Sequence, residues 1–534
     1  MFDHPLSPYI WFHKLRFSDT FARGMIIGGM DRRTFLQSAA AAAAFARTSR
    51  AQDVEIEEGG IGGFQDAMAA GRITAAALLD QYRTRVESLD RNGPALRSVI
   101  EWNPDAAAIA GALDAERKQK GARGPLHGIP VLLKDNIDSA DRMHTTAGSL
   151  ALMDAPQPRD AALVVRLRAA GAVIAGKTNL SEWANFRSTH SSSGWSGRGG
   201  QTLNPYALDR SPSGSSSGSA VAVSANLCAA AVGTETDGSV VSPSSVNGIV
   251  GIKPTVGLIG GRGIVPISHN QDTAGPMARS VRDAAILLSV MAEGPHANAD
   301  YTKFLDAGGL RGARLVYVRH GFNVIPQVER IIDDCVQEMA VRGALVSEID
   351  TMPGAGKYDD TEGTVLRYDF KADLNAYLDS RGGGLTLGRL IEWNEQHRAA
   401  EMPFFEQEIF QQAQQKGPLT EMAYRTALAN DQHMSRAAGI DSALKAAHAE
   451  AIVAATSGPA WLTDHLNGDR DTGGCSTPAA VAGYPHITVP AGFVGGLPVG
   501  ISFFGTAWSE PVLLKLAYAF EQATKARKKP GFAK

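Results

Sequence analysis

Two turns rich in small residues, together with a lysine that ends an apolar run, are the parts of this chain best suited to chemistry. The stretch Ser211–Thr255 contains the turns Gly-Ser-Ser-Ser-Gly-Ser (214–219) and Thr-Asp-Gly-Ser (236–239) on either side of an apolar run. Glycine lets a backbone approach a substrate closely, and a serine hydroxyl placed there can act as a nucleophile or a proton carrier. Composition alone also permits a Gly/Ser linker beside an ordinary core segment.

A serine that attacks an amide needs a proton acceptor, and Lys134 is the residue that offers one. Lysine accepts a proton only when its pKa falls from about 10.4 towards neutrality, which burial away from water brings about. Lys134 directly follows the apolar run Ile129-Pro-Val-Leu-Leu, so its amine can be buried. The alternative is a lysine at a strand end whose head group reaches solvent.

One other catalytic pattern is present, but its context does not support it. Gly214–Gly218 matches GxSxG, the nucleophile elbow of α/β-hydrolases, which requires a buried strand directly before the turn. The preceding residues 204–212 contain two prolines and no apolar alternation. The match is therefore weak evidence for an elbow, because such a pattern arises easily in a serine-rich tract.

Composition excludes several classes of function. Of the 534 residues 44% are hydrophobic and 20% are charged, which is typical of a globular protein, and a net charge of −3 gives no basic surface for nucleic acid. The 13 histidines show no ligand spacing and there is no HExxH, so we expect no metal. No phosphate loop or dinucleotide-binding pattern is present, so we expect no cofactor. The three cysteines form no disulfide or zinc pattern, and nothing specifies an oligomeric state.

The first residues resemble an export signal. Asp31-Arg-Arg-Thr-Phe-Leu-Gln37 is followed by the alanine-rich run Ala39–Ala46 and by Ser49-Arg-Ala51, which is typical of the twin-arginine type. We therefore predict that residues 1–51 are an export signal region, that the start is Met25 or Met30, and that the mature protein is periplasmic or secreted. An ordinary alanine-rich helix that begins at Asp31 is the alternative. No stretch reaches 18 consecutive apolar residues, so we expect no membrane insertion after signal removal.

The remainder, residues 52–534, is predicted to be one α/β domain with a mixed sheet covered by helices on both faces. Helical periodicity alternates with short apolar strands through the first half of the chain. Residues 355–455 differ, because every periodic segment there is typical of a helix with a charged face, including a last predicted helix at Ile440–Ala455. We expect this helical region to lie on the substrate side of the domain.

Several ordered motifs resemble those of the amidase signature family. They lie at His127–Ile137, Ser213–Ser219, Gly233–Ser239, Gly248–Thr255, Gln271–Ser280 and Gly483–Pro490. Ser215 and Ser239 are also 24 positions apart, as the serine pair of that family is. The likeness covers about 60–310 and 455–525 and is weakest over 355–455.

The resemblance implies the family's fold and a Ser-Ser-Lys triad that cleaves a carboxamide C–N bond through an acyl-serine. Lys134 matches the lysine, Ser215 the bridging serine after a cis peptide bond, and Ser239 the nucleophile. The oxyanion would be bound by the backbone N–H groups of the turn formed by Thr236, Asp237, Gly238 and Ser239. Neutral Lys134 would draw the nucleophile's proton through the bridging serine.

The chain departs from the commoner family sequence at two positions in and just after the second turn. Asp237 and Val241 replace a glycine and an arginine, and the Asp237 carboxylate would either repel a negative substrate charge or bind a positive one, unless its side chain turns away. The sequence Gly-Thr-Glu-Thr-Asp-Gly-Ser, together with Gly458–Asp464, is most similar to the peptide amidases of the family. This resemblance implies C-terminal peptide amides as substrates. The alternatives are a hydrolase of aryl or alkyl amides, a glutamine-hydrolysing component of an amidotransferase, and a non-catalytic binding protein.

Overall fold

A mixed sheet of eleven strands runs through the part of the chain that the computed structural model describes, residues 54–534. Two further short strands form a separate ribbon. The strands are β1 Val99–Trp102, β2 Pro130–Lys134, β3 Val173–Thr178, β4 Trp195–Ser196, β5 Gly200–Gln201, β6 Ala230–Glu235, β7 Val250–Lys253, β8 Thr273–Ala278, β9 Arg314–Val318, β10 Leu345–Ile349, β11 Ala451–Ala455, β12 His486–Val494 and β13 Leu497–Phe504.

The strand order in the large sheet is β1-β3-β2-β6-β8-β7-β12-β13-β11-β9-β10. Strands β3, β2 and β6 are mutually parallel, as are β11, β9 and β10, while the strands between these groups pair antiparallel. Every residue of β2, β3 and β6 is buried, which explains why these strands are apolar runs without alternation. Strand β10 lies at the edge and has three exposed residues among five.

Sixteen α-helices are present in residues 54–534, and they flank the sheet. They are α1 Ile61–Ala69, α2 Ala75–Arg85, α3 Ala106–Lys120, α4 Ala162–Ala169, α5 Ser217–Ser224, α6 Val241–Val246, α7 Val281–Met291, α8 Pro326–Val341, α9 Asp359–Arg381, α10 Leu387–Gln396, α11 Arg398–Glu401, α12 Glu408–Gln414, α13 Met422–Gln432, α14 Asp441–Ala447, α15 Ser476–Ala482 and α16 Glu510–Thr524. The predicted fold class, a single large α/β domain with a mixed sheet, is confirmed.

The helical region differs from its prediction at its end. The predicted helix Ile440–Ala455 is wrong, because α14 stops at Ala447 and residues 451–455 form strand β11. His448 ends the helix in the left-handed conformation, with φ at +50°. Alanine favours helices, but here all five strand residues are buried and pair with β13 and β9, so tertiary packing overrides the local propensity.

The parallel neighbours β2 and β6 place the candidate residues together. Leu133 of β2 pairs with Val232 of β6, so both strands end at the same edge, one with Lys134 and the other with Glu235. The loop after β6 carries the 236–239 turn and leads into α6, while the first turn leads into α5. The carboxyl ends of parallel strands are where open α/β sheets place their binding crevices.

Two kinds of feature are absent from residues 54–534. No helix among them has the length and apolar character needed to cross a bilayer. No group of three or more histidine, cysteine, aspartate or glutamate side chains there is arranged to hold a metal ion. The predicted export signal, residues 1–51, lies outside the described residues and stays a prediction.

Replacing Gly218 of α5 by alanine is expected to destabilise the fold. A Cβ there would lie 2.5 Å from the carbonyl oxygen of Asn179 and would also strike that of Ser98, and backbone atoms cannot move aside. We expect a loss of about 1–3 kcal/mol in the free energy of unfolding, measured in denaturant. The control is Gly111→Ala in α3, where a Cβ meets nothing within 4 Å, which should raise stability by about 0.5–1 kcal/mol. Equal effects of the two substitutions would contradict the packing described.

Candidate active site

Lys134, the last residue of β2, is completely buried, and its amine has three short contacts. The Nζ atom lies 2.7 Å from Ser215 Oγ, 2.9 Å from Thr234 Oγ1 and 3.2 Å from the carbonyl oxygen of Thr234. Burial lowers the pKa of Lys134 from 10.5 to about 7, against the opposing charges of Asp272 and Glu235. A neutral amine has two N–H bonds and one lone pair, which match two donations to Thr234 and one acceptance from the Ser215 hydroxyl.

Ser215 belongs to the first turn and is also completely buried. The peptide bond between Gly214 and Ser215 is cis, as the resemblance implied. The carbonyl oxygen of Ser215 accepts a hydrogen bond from the backbone N–H of Ser181 (3.1 Å), and a Cβ on Gly214 would collide with the Ser181 hydroxyl. The first turn therefore requires glycine at 214 for close approach.

Ser239 lies in the second turn, directly after Gly238, and remains 8% exposed. Gly238 has φ at +76°, in the left-handed region that favours glycine. The backbone N–H of Ser216 donates to the carbonyl oxygen of Ser239 (3.1 Å), which links the two turns. Among the hydrogen bonds of the described residues, none is donated by the backbone N–H groups of Asp237, Gly238 or Ser239, so these donors are free for a ligand.

Two carboxylates fix the ends of the second turn. Glu235 Oε2 accepts from the backbone N–H groups of Val240 (2.7 Å) and Val241 (3.0 Å), just after Ser239. At the start of the turn, Thr236 Oγ1 donates to Asp272 Oδ1 (2.6 Å). Burial raises the pKa of Asp272 to about 6. The conformation of the turn thus depends on acceptors from β6 and from the segment before β8.

A cavity of about 300 Å³ opens at these turns. Its wall includes Gly214, which precedes Ser215, and Gly238, which precedes Ser239. Trp461 and Asp469 contribute to the wall as well, and their side chains are joined by a hydrogen bond from Trp461 Nε1 to Asp469 Oδ1 (2.9 Å). A second cavity of about 420 Å³, whose wall includes Asp272, contains neither glycine, so the first cavity is the one that adjoins the two turns.

The structure places Lys134 and the two turns that the sequence singled out next to one another. Lys134 contacts Ser215, and the backbone links the turn of Ser215 to that of Ser239. The GxSxG pattern at 214–218 is not a nucleophile elbow, because the last strand before it, β5, ends at Gln201.

Sequence reasoning missed the partners of these residues. The recognisable motifs contain three of these partners, Thr234, Glu235 and Asp272. Their positions in the sequence do not indicate what they contact. Thr234 is a contact of the Lys134 amine, and the two acids hold the second turn. The polar character of Glu235 at the end of an otherwise apolar strand is the one signal that the sequence offers.

Comparison with known proteins gives a consistent result. A family model described as Amidase matches residues 77–514. The chain is 41% identical over 499 residues to a probable amidase of Arabidopsis thaliana, covering 89% of this chain and 92% of that protein. It is 48% identical to the crystal structure of the native peptide amidase from Stenotrophomonas maltophilia, with a TM-score of 0.85, covering 89% of this chain and 99% of the other. It is also 33% identical to one component of the glutamyl-tRNA(Gln) amidotransferase of Roseiflexus castenholzii, over 86% of this chain and 94% of that one.

Titration of Lys134 tests the electrostatics of this site. We expect one lysine Nζ signal to titrate with a pKa of about 7 and to be missing from Lys134→Met, because burial disfavours the charged amine. Nitrogen NMR of protein labelled at lysine Nζ measures this directly. The control Lys118→Met, on the exposed side of α3, should leave that signal in place. If the signal lost in Lys134→Met titrates above pH 9, the amine is solvated and the site description is wrong.

Proposed function

Because the chain belongs to the amidase signature family and is an enzyme that hydrolyses amide bonds, we propose that it cleaves C-terminal carboxamides of peptides with a Ser-Ser-Lys triad. In this proposal Lys134 is the base, Ser215 the proton relay and Ser239 the nucleophile. The observation that carries the proposal is the buried contact of 2.7 Å between Lys134 Nζ and Ser215 Oγ. A lysine in that position has a lone pair available near neutral pH.

Acylation begins when neutral Lys134 accepts the hydroxyl proton of Ser215 and Ser215 in turn accepts the proton of Ser239. The Ser239 oxygen attacks the carboxamide carbon, and the carbonyl oxygen becomes an oxyanion. In the proposed mechanism the free N–H groups of Asp237, Gly238 and Ser239 bind it, and each such donor typically contributes about 10²–10³ in rate. The proton then returns along the same path to the nitrogen, which leaves as ammonia and forms acyl-Ser239.

Deacylation repeats the relay with water. Water gives its proton to Ser215, which passes one to Lys134, and the hydroxide attacks the acyl carbon. Collapse of the second oxyanion breaks the ester bond, returns the proton to Ser239 and releases a carboxylic acid. The relay therefore ends each turnover in its starting protonation state.

Two observations favour a peptide amide as substrate. The structure matches a peptide amidase at 48% identity over nearly the whole of that chain. The cavity of about 300 Å³ adjoins a larger groove of about 730 Å³, with which it shares Asp471 and Thr477, so the site has room for an extended acyl chain. Aryl and alkyl amides are the competing substrate class, and a panel of peptide amides, anilides and aliphatic amides separates the two.

The two other hypotheses fit the chain less well. An amidotransferase component requires a cytoplasmic complex, and a binding protein requires no catalytic residues. The likeness to an amidotransferase component extends across the whole domain, but the export signal predicted at residues 1–51 would remove the protein from a cytoplasmic complex. A non-catalytic binding protein would need none of the three matched residues. The arrangement of Lys134, Ser215 and Ser239 therefore favours a working hydrolase.

Substitution of the triad tests the proposal. Ser239→Ala is expected to lower kcat/KM for a peptide amide by about 10⁵-fold or more, because no acyl-enzyme can form. Lys134→Ala is expected to lower it by about 10²–10⁴-fold through loss of the base. Steady-state ammonia release measures both effects, and labelling by a fluorophosphonate probe should be lost in Ser239→Ala.

The control is Ser88→Ala, which removes an exposed serine far from the site in sequence. It should keep both turnover and labelling. Near-normal hydrolysis by Ser239→Ala or by Lys134→Ala would refute the mechanism.

A further inference from the structure

The wall of the catalytic cavity is acidic. Asp237, Asp469 and Asp471 line it, and among the described residues of that wall there is no lysine, arginine or histidine. The groove that continues from the cavity shares Asp471 and adds Asp359, with Lys357 as its one basic residue. A substrate that binds here passes carboxyl groups along most of its path.

Among the three acids of the cavity wall, Asp237 is the one whose backbone belongs to the turn that ends in Ser239. Its Oδ1 atom is completely buried and has no hydrogen-bond partner among residues 54–534. A buried acceptor without a donor is costly, so this oxygen is available to a donor that a ligand brings. Asp237 is one of the residues of the cavity wall, so the unused acceptor belongs to a residue that borders the cavity.

Burial shifts the pKa values of two neighbouring acids, Asp237 and Glu362, upward. Burial and the charge of Asp237 raise the pKa of Glu362 well above its usual value, while one carboxyl oxygen of Glu362 accepts from Gln271 Nε2 (2.9 Å). Burial also raises the pKa of Asp237, but the hydroxyls of Ser476 and Thr477 and the charge of Lys253 act in the opposite direction. These groups offset part of the cost of a negative charge on Asp237.

We propose that this site selects carboxamides whose acyl part carries a positive charge, namely peptide amides with a lysine or arginine side chain next to the scissile bond, and that Asp237 is the residue that selects them. The proposal rests on the amidase function proposed above. An ammonium or guanidinium group supplies the donor that Asp237 Oδ1 lacks and is favoured by Asp469 and Asp471. The same charges disfavour the carboxylate product and thus promote its release.

The test compares matched substrates that differ in charge. N-acetyl-lysine amide carries the ammonium group, whereas its Nε-acetylated form and N-acetyl-norleucine amide are neutral analogues, one longer and one shorter. We expect the wild-type enzyme to prefer the lysine amide over both neutral analogues by about ten- to a hundredfold in kcat/KM. The ratio between substrates is the readout, so a general loss of activity in a variant does not affect it.

Two variants and a control test whether Asp237 and Asp471 cause the preference for the lysine amide. Asp237→Asn should reduce the ratio of kcat/KM between the lysine amide and the neutral analogues to within about threefold of unity. Asp471 lies outside the second turn, and Asp471→Asn should reduce this ratio partly. Asp80→Asn makes the same change in net charge at an exposed residue that lines neither cavity, and it should keep the wild-type ratio. If Asp237→Asn does not fold, the Asp471→Asn ratio decides alone.

The outcomes separate the two proposals. Hydrolysis of neutral and basic amides at equal rates by the wild-type enzyme, or a preference that both variants retain, overturns the charge selection and leaves the triad intact. Failure of the wild-type enzyme to cleave any of the amides, together with no probe labelling of Ser239, overturns the amidase mechanism itself.

Discussion

The removal of Lys134 from water is the constraint on which the rest of the site depends. A lysine in water is protonated at neutral pH and cannot accept a proton from serine. A pKa of about 7 instead of 10.5 corresponds to roughly 5 kcal/mol against the charged amine, a free energy that the fold must supply by burial. The fully buried strands β2, β3 and β6 form that dry environment, and Thr234 offers acceptors that suit the neutral amine.

The same sheet edge that buries the lysine also positions the two turns. Strands β2 and β6 end side by side, so the loop after β6 begins beside the amine of Lys134, and the loop that precedes α5 brings Ser215 into contact with it. Glu235 and Asp272 then hold the second turn at its two ends, with its N–H groups left unused. Binding donors that are fixed before the substrate arrives need no reorganisation during the reaction.

The identities of the site residues were accessible from the sequence, whereas most of their partners were not. Lys134, Ser215 and Ser239 stand in motifs with a recognisable spacing, and the alternation of helices and apolar strands predicted the fold class. Local patterns do not show which distant side chains affect one another: Asp237 and Glu362 are 125 positions apart, so the effect of the Asp237 charge on the pKa of Glu362 appears only in the structure. The error at residues 451–455 has the same origin, because an alanine-rich segment becomes a strand only through its neighbours in the sheet.

The pH dependence of kcat/KM for a neutral peptide amide tests the central role of neutral Lys134 most directly. With a pKa of about 7, the neutral fraction falls tenfold for each pH unit below 7, so kcat/KM should decline with that slope on the acid side. Asp272, with its pKa raised to about 6, remains in Lys134→Ala, so an acid limb caused by that carboxyl would persist in the variant. We predict that the limb near pH 7 disappears in Lys134→Ala, whose residual rate should be flat there; an unchanged limb in the variant, or a wild-type rate that is flat down to pH 4, would contradict the role of the lysine as base.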